Sequence, residues 1–331
     1  MGDDGVLKRW RRILQWIEAC RIRVGCDPRR IEAPALVFFP YRPCLLCCGF
    51  AGILALRLSQ AAQRPASEPH PCSEIHDLFS RAVQNDLQAF LRGAIPAEAY
   101  LGGTATQGAL ESRLFLMKGE EAFGRIFYDE GEARRLALLA ERIRSFLAQE
   151  ERLLEEQAGR ISTADLEAVN RGLVLLRDVV WGIEKDILEN IGRTQRLAGA
   201  GGDAGVAPEA LAKYRKMNFL LNSLDRLEVR GRDSAGIQFS FVPADSEDVA
   251  RVMDGLRMQG IGGELERRTA RGDLRDGSIT GPSASTPGSD AAGRPVFSFT
   301  YKTAEIIGEL GRNVRELRKR IADDRVLQAF A

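Results

Sequence analysis

Apolar side chains recur at steps of three and four from residue 73 to about residue 191, and at steps of two in two short segments beyond it. Ser73 reads as the N-cap of a helix carrying Ile75, Leu78, Val83, Leu87 and Phe90 on one side. Leu136, Leu139, Ile143 and Leu147 form a second stripe in a segment rich in Glu and Arg. Ser162-x-x-Asp165 has the form of a capping box. The positions that follow, Leu166, Val169, Leu173, Leu176, Val180, Ile183, Ile187 and Ile191, predict one long helix with a single apolar face. Stripes of this width predict helix–helix packing.

Gly199 to Gly205 reads as a glycine-rich linker. Pro208 fits the first turn of a further helix, because its missing N–H is not needed there. Leu211, Tyr214, Leu221, Leu224 and Leu227 are that helix's inward positions. Ile237 to Phe241 alternates apolar and polar residues, and so does Val296 to Tyr301; both predict strands with one buried face. Val249, Val252 and Leu256 mark a small helix between them. Arg271 to Arg294, rich in Gly, Ser, Pro and Asp, predicts a disordered loop. Val314, Leu317 and Ile321 predict a closing helix. Near the start, residues 48 to 58 form a short apolar run with Gly49 and Gly52, which suits a buried strand. The class is α+β.

Composition narrows the chemistry. The 331 residues carry 47 Lys and Arg against 46 Asp and Glu, a net charge of +1, and this balance gives no sign of a nucleic-acid partner. His70 and His76 are the only two histidines, which argues against a histidine base or a His-rich metal site. The cysteines, Cys20, Cys26, Cys44, Cys47, Cys48 and Cys72, all fall early in the chain. That is not the spread of a disulfide framework, so a reducing, cytoplasmic compartment is expected. Cys44-x-x-Cys47-Cys48 lacks a second Cys or His pair at zinc spacing, so no metal and no cofactor are expected. The apolar run from Cys44 to Leu56 is shorter than the roughly 20 residues needed to span a bilayer. Lys8 to Arg12 is basic and aromatic and imitates a leader, but the apolar run comes too late, and no membrane attachment is expected.

The most informative segment is Arg226-Leu227-Glu228-Val229-Arg230-Gly231-Arg232-Asp233-Ser234-Ala235-Gly236-Ile237. It ends a helix, turns, and enters a strand. Gly231 allows a tight backbone path and Gly236 a close approach of elements; Arg230 and Asp233 suit an ion pair. The segment resembles the Arg-Leu-Glu-Tyr-Arg-Gly-Tyr-Asp-Ser-Ala-Gly signature of the glutaminase domain of glucosamine-6-phosphate synthase, a class II glutamine amidotransferase. Val229 and Arg232 stand in place of the two tyrosines. Cys48-Gly49-Phe50-Ala51-Gly52-Ile53 resembles the Cys-Gly-Ile-x-Gly start of the same family. Phe297 to Tyr301 and Gly311 to Ile321 match its later strand and helix. Residues 60–207 separate the first two matches far more widely than the family does.

The resemblance implies an N-terminal-nucleophile glutaminase, an αββα sandwich, here incomplete and interrupted by helices. It implies Cys48 as nucleophile, with Arg230, Gly231 and Asp233 supporting the substrate site. Glutamine would be the nitrogen donor, and a sugar phosphate, fructose 6-phosphate by analogy, the acceptor in further domains; homo-oligomers are possible. In the family the base is the nucleophile's own α-amine, whose pKa of about 7.7–8.0 suits proton transfer. Cys48 follows Cys47 through a peptide bond, so residues 1–47 are removed, or the start is misassigned, or the site is inactive. Cys47 is the runner-up nucleophile, and an inert cysteine pair is the plain alternative. The family's carboxylate-binding His-Thr-Arg-Trp-Ala and its Asn-Gly oxyanion pair are not found, so a fragment without activity of its own is expected. The resulting organisation is an extension over 1–47, a first glutaminase strand over 48–59, a helical insertion and linker over 60–207, and the glutaminase continuation over 208–331. The competing reading is a helical protein-interaction module carrying a vestigial glutaminase remnant.

Overall fold

The computed structural model describes residues 71–199, 205–228, 234–243, 245–270, 275–281, 295–304 and 310–331, all within one compact unit. The class is α+β, with the helices dominant. In chain order the elements are α1 (Pro71–Ala82), α2 (Leu87–Leu91), a 3₁₀ turn (Ala97–Gly102), α3 (Gly103–Met117), α4 (Glu120–Tyr128), α5 (Glu130–Gln157) and α6 (Thr163–Trp181). A π-helical segment (Gly182–Leu188) runs on into α7 (Glu189–Leu197). Then come α8 (Pro208–Glu228), β1 (Ala235–Phe241), α9 (Ser246–Met258), α10 (Gly262–Thr269), β2 (Ile279–Thr280), β3 (Phe297–Thr303), α11 (Arg312–Ala322) and α12 (Arg325–Phe330). The first apolar run, residues 48–58, lies outside the described residues.

Two hydrophobic cores result. The first gathers Ile75, Phe79, Leu110, Ile126, Leu136, Ile143, Leu173, Leu176, Ile183 and Ile187 from α1 to the π segment. The predicted stripes of α5 and α6 supply its centre. Ser162 caps α6, accepting from Asp165 N at 3.2 Å; its hydroxyl then donates to the Asp165 carboxylate at 2.7 Å. Asp is too short to reach back to the cap's own N–H, so this is half a capping box. Ser73 is not a cap: α1 already begins at Pro71, where a missing N–H costs nothing, and Ser73 sits in its first turn.

Glu150 is a charged group inside this first core, 5 % exposed. It accepts from Leu87 N at 2.9 Å, at the start of α2, and from the Tyr100 hydroxyl at 2.8 Å. Burial pushes its carboxyl above the ordinary value, against the pull of those two hydrogen bonds. The same bond fixes the Tyr100 ring, which lies against Gly172 of α6. A Cβ on Gly172 would stand 2.9 Å from two Tyr100 ring carbons and 3.1 Å from Leu101 Cδ1. Leu101 holds a left-handed backbone, φ 52°, with its N–H on Asn85 O at 2.9 Å.

The second core joins Tyr214, Met217 and Leu221 of α8 to the sheet and to α9 through α12. The sheet order is β1-β3-β2, antiparallel throughout. Phe239, Phe299 and Ile279 stand in one row across its three strands. Phe330 of α12 lies with ring centroids 4.9, 5.2 and 6.0 Å from Phe297, Phe299 and Phe241. The opposite face carries Gln238, Ser240, Ser298 and Lys302, with the Ser240 and Ser298 hydroxyls 2.7 Å apart. The alternation read from the sequence therefore gives the buried face correctly. The loop expected over Arg271–Arg294 is interrupted by β2, because Ile279, 0 % exposed, completes that apolar row. The closing helix stands whole as α11, and a further short helix follows it: Asp323 ends α11 and Asp324 caps α12, accepting from Val326 N and Leu327 N at 3.0 Å.

The long helix expected from Leu166 to Ile191 is continuous but not uniform. Over Gly182–Leu188 the ladder widens, and Glu189 N donates to Glu184 O. A π turn leaves carbonyls poorly paired, and here the Asn190 side chain takes two of them, Lys185 O at 3.2 Å and Asp186 O at 2.9 Å. Asn190 Oδ1 in turn accepts from Asn218 Nδ2 at 2.8 Å and Asn222 Nδ2 at 2.7 Å, both on α8. This amide chain joins the last helices of the first core to the helix that carries the second.

Two predictions follow from the first core. Helix propensity alone favours Ala over Gly by about 1 kcal/mol, but Gly172→Ala should lower stability by about 1–3 kcal/mol, because the hydrogen-bonded Tyr100 ring cannot retreat; urea denaturation measures it. Glu150→Gln should be at least as stable as wild type at pH 7. A carboxyl whose folded pKa is raised stabilises the fold below its unfolded value of about 4.3 and progressively less above it. The variant's advantage should therefore shrink as pH is lowered to 4, and an advantage that grew instead would exclude a raised value.

Candidate functional site

Cys48, Arg230, Gly231 and Asp233, the residues singled out by the sequence, lie outside the described residues, as does Cys47. What is described is the frame that flanks the signature. Its lead-in, Arg226 to Glu228, is the last turn of α8, and Ala235 to Ile237 opens β1. β1 then pairs along all seven residues with β3, from Ala235 opposite Thr303 to Phe241 opposite Phe297. The signature is therefore flanked by a helix end and a strand start.

Gly236 is not where the close approach occurs. A Cβ there would meet Lys302 Cγ and Tyr301 O at 3.6 Å, an ordinary contact. The crowding lies at Gly311, which precedes α11 with φ 80°; a Cβ there would meet Arg315 Nη1 at 3.2 Å and Asp225 Oδ1 at 3.3 Å. A left-handed backbone packed against the last turns of α8 suits glycine alone.

The sheet beside the signature is anchored by a buried polar network. Arg268 of α10 makes a two-pronged ion pair with Asp324, at 2.9 and 2.7 Å, and its Nε donates to Gly277 O at 2.7 Å. The Tyr301 hydroxyl donates to Asp324 at 2.5 Å. The Arg268 guanidinium also lies 5.7 Å from the Phe299 ring centroid. Burial acts to raise the Asp324 carboxyl, but hydrogen bonds from Arg268 and Tyr301 outweigh it and hold it below the usual range. Burial and the Asp324 charge push the Tyr301 hydroxyl far upward, so it stays a donor. Asp324 thus accepts from two side chains and from the N–H groups of α12. Glu264, one turn before Arg268, adds a longer pair at 3.5 Å from the solvent side, and the role of the network is structural: it fixes β3, and through β3 the strand that leaves the signature.

Cys72 is a buried thiol pushed up to about 12, chiefly by burial and then by Glu132, so it stays protonated and unreactive. Among the described residues no group of three His, Cys, Asp or Glu is placed to hold a metal ion, and no helix is long and apolar enough to cross a membrane.

Sequence reasoning missed the Asn and Arg side chains where α7, α8 and α11 meet. Asn218 and Asn222 stand one turn apart on α8, and two poor helix formers on one face were the available signal. Comparison with family models, with curated proteins and with solved structures finds no match to this chain.

The ion pair yields a test. Asp324→Asn should cost about 3 kcal/mol at pH 7, because it leaves the buried Arg268 with only the longer, half-exposed pair to Glu264 at 3.5 Å. A depressed carboxyl stabilises the fold above its unfolded value of about 3.9, and that contribution is lost as pH falls through the folded value. The gap between variant and wild type, read by urea denaturation, should narrow below pH 4.

Proposed function

We propose that the chain carries the glutaminase half of a glutamine-dependent amidotransferase, similar to that of glucosamine-6-phosphate synthase, interrupted by the helical block of residues 71–199. One observation carries the reading: a segment that matches the eleven-residue family signature at nine positions begins in the last turn of a long helix and ends in a strand in full antiparallel register. The strand it pairs with, β3, is followed by α11, as the family's plan requires. One sheet with helices against its apolar face would supply half of the αββα sandwich this reading calls for.

In this reading the Cys48 thiol gives its proton to a free α-amine and attacks the side-chain amide carbon of glutamine. Ammonia leaves, a thioester remains, and water releases glutamate. Arg230, Gly231 and Asp233 support the glutamine site. The ammonia aminates a sugar phosphate, fructose 6-phosphate by analogy, bound in further domains. With Cys47 joined ahead of it, Cys48 has an amide nitrogen in place of the free amine, and the thiol lacks that base.

The 331-residue chain is expected to release no glutamate from glutamine above a Cys48→Ala control. Placing Cys48 at the amino terminus, by specific proteolysis, should speed its alkylation by a diazoketone analogue of glutamine at least about tenfold, read by mass spectrometry. Equal labelling of both forms, or labelling centred on Cys47, would sink the assignment. A second reading, a helical interaction module with an inert remnant, draws on the exposure of Phe115 (74 %) and Trp181 (61 %) on the first core. It predicts no difference between the two forms.

A further inference from the structure

The junction between the two cores holds more positive charge than its neighbours offset. Arg193 of α7 and Arg318 of α11 converge on one neutral atom: Asn222 Oδ1 accepts from Arg193 Nη1 at 2.7 Å and from Arg318 Nη2 at 2.5 Å. Arg318 Nη1 donates to Asn218 Oδ1 at 2.8 Å. Glu189 is the carboxylate in contact, 2.5 Å from Arg193, and it is shared with Lys185 at 3.1 Å. Among the described residues no carboxylate stands within ion-pair distance of Arg318. Asp225 acts on it only from farther off, while Arg193 and Arg196 repel it. Lys185, Arg193, Arg196 and Arg318 thus face Glu189 and Asp225.

Two guanidinium groups around one amide oxygen is a costly arrangement. Like charges this close repel, and an amide supplies only a dipole in compensation. Burial, and after it Arg193, pushes the Arg318 guanidinium down to about 10. The amides are themselves fixed, since Asn218 is 3 % exposed and Asn190 holds both Asn218 and Asn222 against the π turn. The forks of Arg193 and Arg318 are therefore held in place. The Arg193 side chain is also reachable, 28 % exposed, and Arg318 beside it is partly exposed. Fixed forks of adjacent guanidinium groups match the oxygens of a tetrahedral dianion.

We infer that Arg193 and Arg318, positioned by Asn218 and Asn222, form a binding site for a phosphate group. The inference does not rest on the proposed cysteine chemistry. A bound dianion would supply the missing counter-charge at the seam, so occupancy would strengthen the tie between the cores.

Equilibrium dialysis of the full chain with inorganic phosphate, at ionic strength held constant with chloride, tests this directly. Saturable binding is expected, with a melting temperature that rises with phosphate and not with chloride. Arg193→Gln and Arg318→Lys should each weaken binding about tenfold or more. Arg318→Lys keeps the charge and loses the fork, and native circular dichroism shows that each variant is folded. Methyl phosphate competing better than inorganic phosphate would make the ligand an ester; the reverse would make it the free ion. Three results would overturn the inference: no saturable phosphate binding, unchanged affinity in both folded variants, or malonate outcompeting both phosphates.

Discussion

Where the helix that closes the first hydrophobic core leads on toward the second, its ladder widens into the π turn at Gly182–Leu188, and the seam between the cores depends on how the loosened carbonyls are satisfied. Asn190 takes two of them and turns its amide oxygen to Asn218 and Asn222. Lys118, at the end of α3, reinforces the seam by pairing with Asp186 at 2.6 Å and by giving its carbonyl to Arg215 at 2.6 Å. Polar groups in a seam cost desolvation unless every partner is present. Their mutual dependence gives the two cores a defined arrangement, which an apolar contact of the same area would specify less strictly.

Both cores use the same device at smaller scale. In each, one carboxylate accepts at the start of a short helix, from far along the chain for Glu150 and from the adjoining cap position for Asp324, and also receives a tyrosine hydroxyl. Glu150 serves α2 and Tyr100; Asp324 serves α12 and Tyr301. They differ in one respect. Asp324 has Arg268 as counter-charge and is held ionised, whereas Glu150 has hydrogen-bond donors alone and is shifted toward protonation. Compensation by charge, more than depth of burial, separates the two.

The apolar periodicity of the sequence specified much of this. The stripes of α5 and α6, the Pro208 start of α8 and the alternation in β1 and β3 all stand where local pattern put them, because side-chain spacing and burial are the same fact seen twice. Local pattern was silent where a residue is set by partners far along the chain. β2 is two residues long and exists because Ile279 completes a row begun by Phe239 and Phe299. Gly172 looks like a weak point in a helix until the Tyr100 ring is placed beside it. The signature of residues 226–237 was legible as a resemblance and as a helix-to-strand passage. Asn190 and Arg318 were not, since nothing near either in sequence announces the other, and Asn218 and Asn222, one turn apart on α8, announced only each other.

The position of Asp324 along the chain bears on how the molecule is made. Every group of the first core has been synthesised once Leu211 is in place, so that core can close while translation continues. The second cannot, because the acceptor for Arg268, Tyr301 and the start of α12 is encoded far later. At about 5–20 residues per second, that interval is on the order of ten seconds. Within it, the aromatic face of β1, joined by that of β3 only once residue 303 is made, stands without α12, the helix that covers it, and the nascent chain is at its most vulnerable to chaperones, proteases and its own neighbours on the polysome.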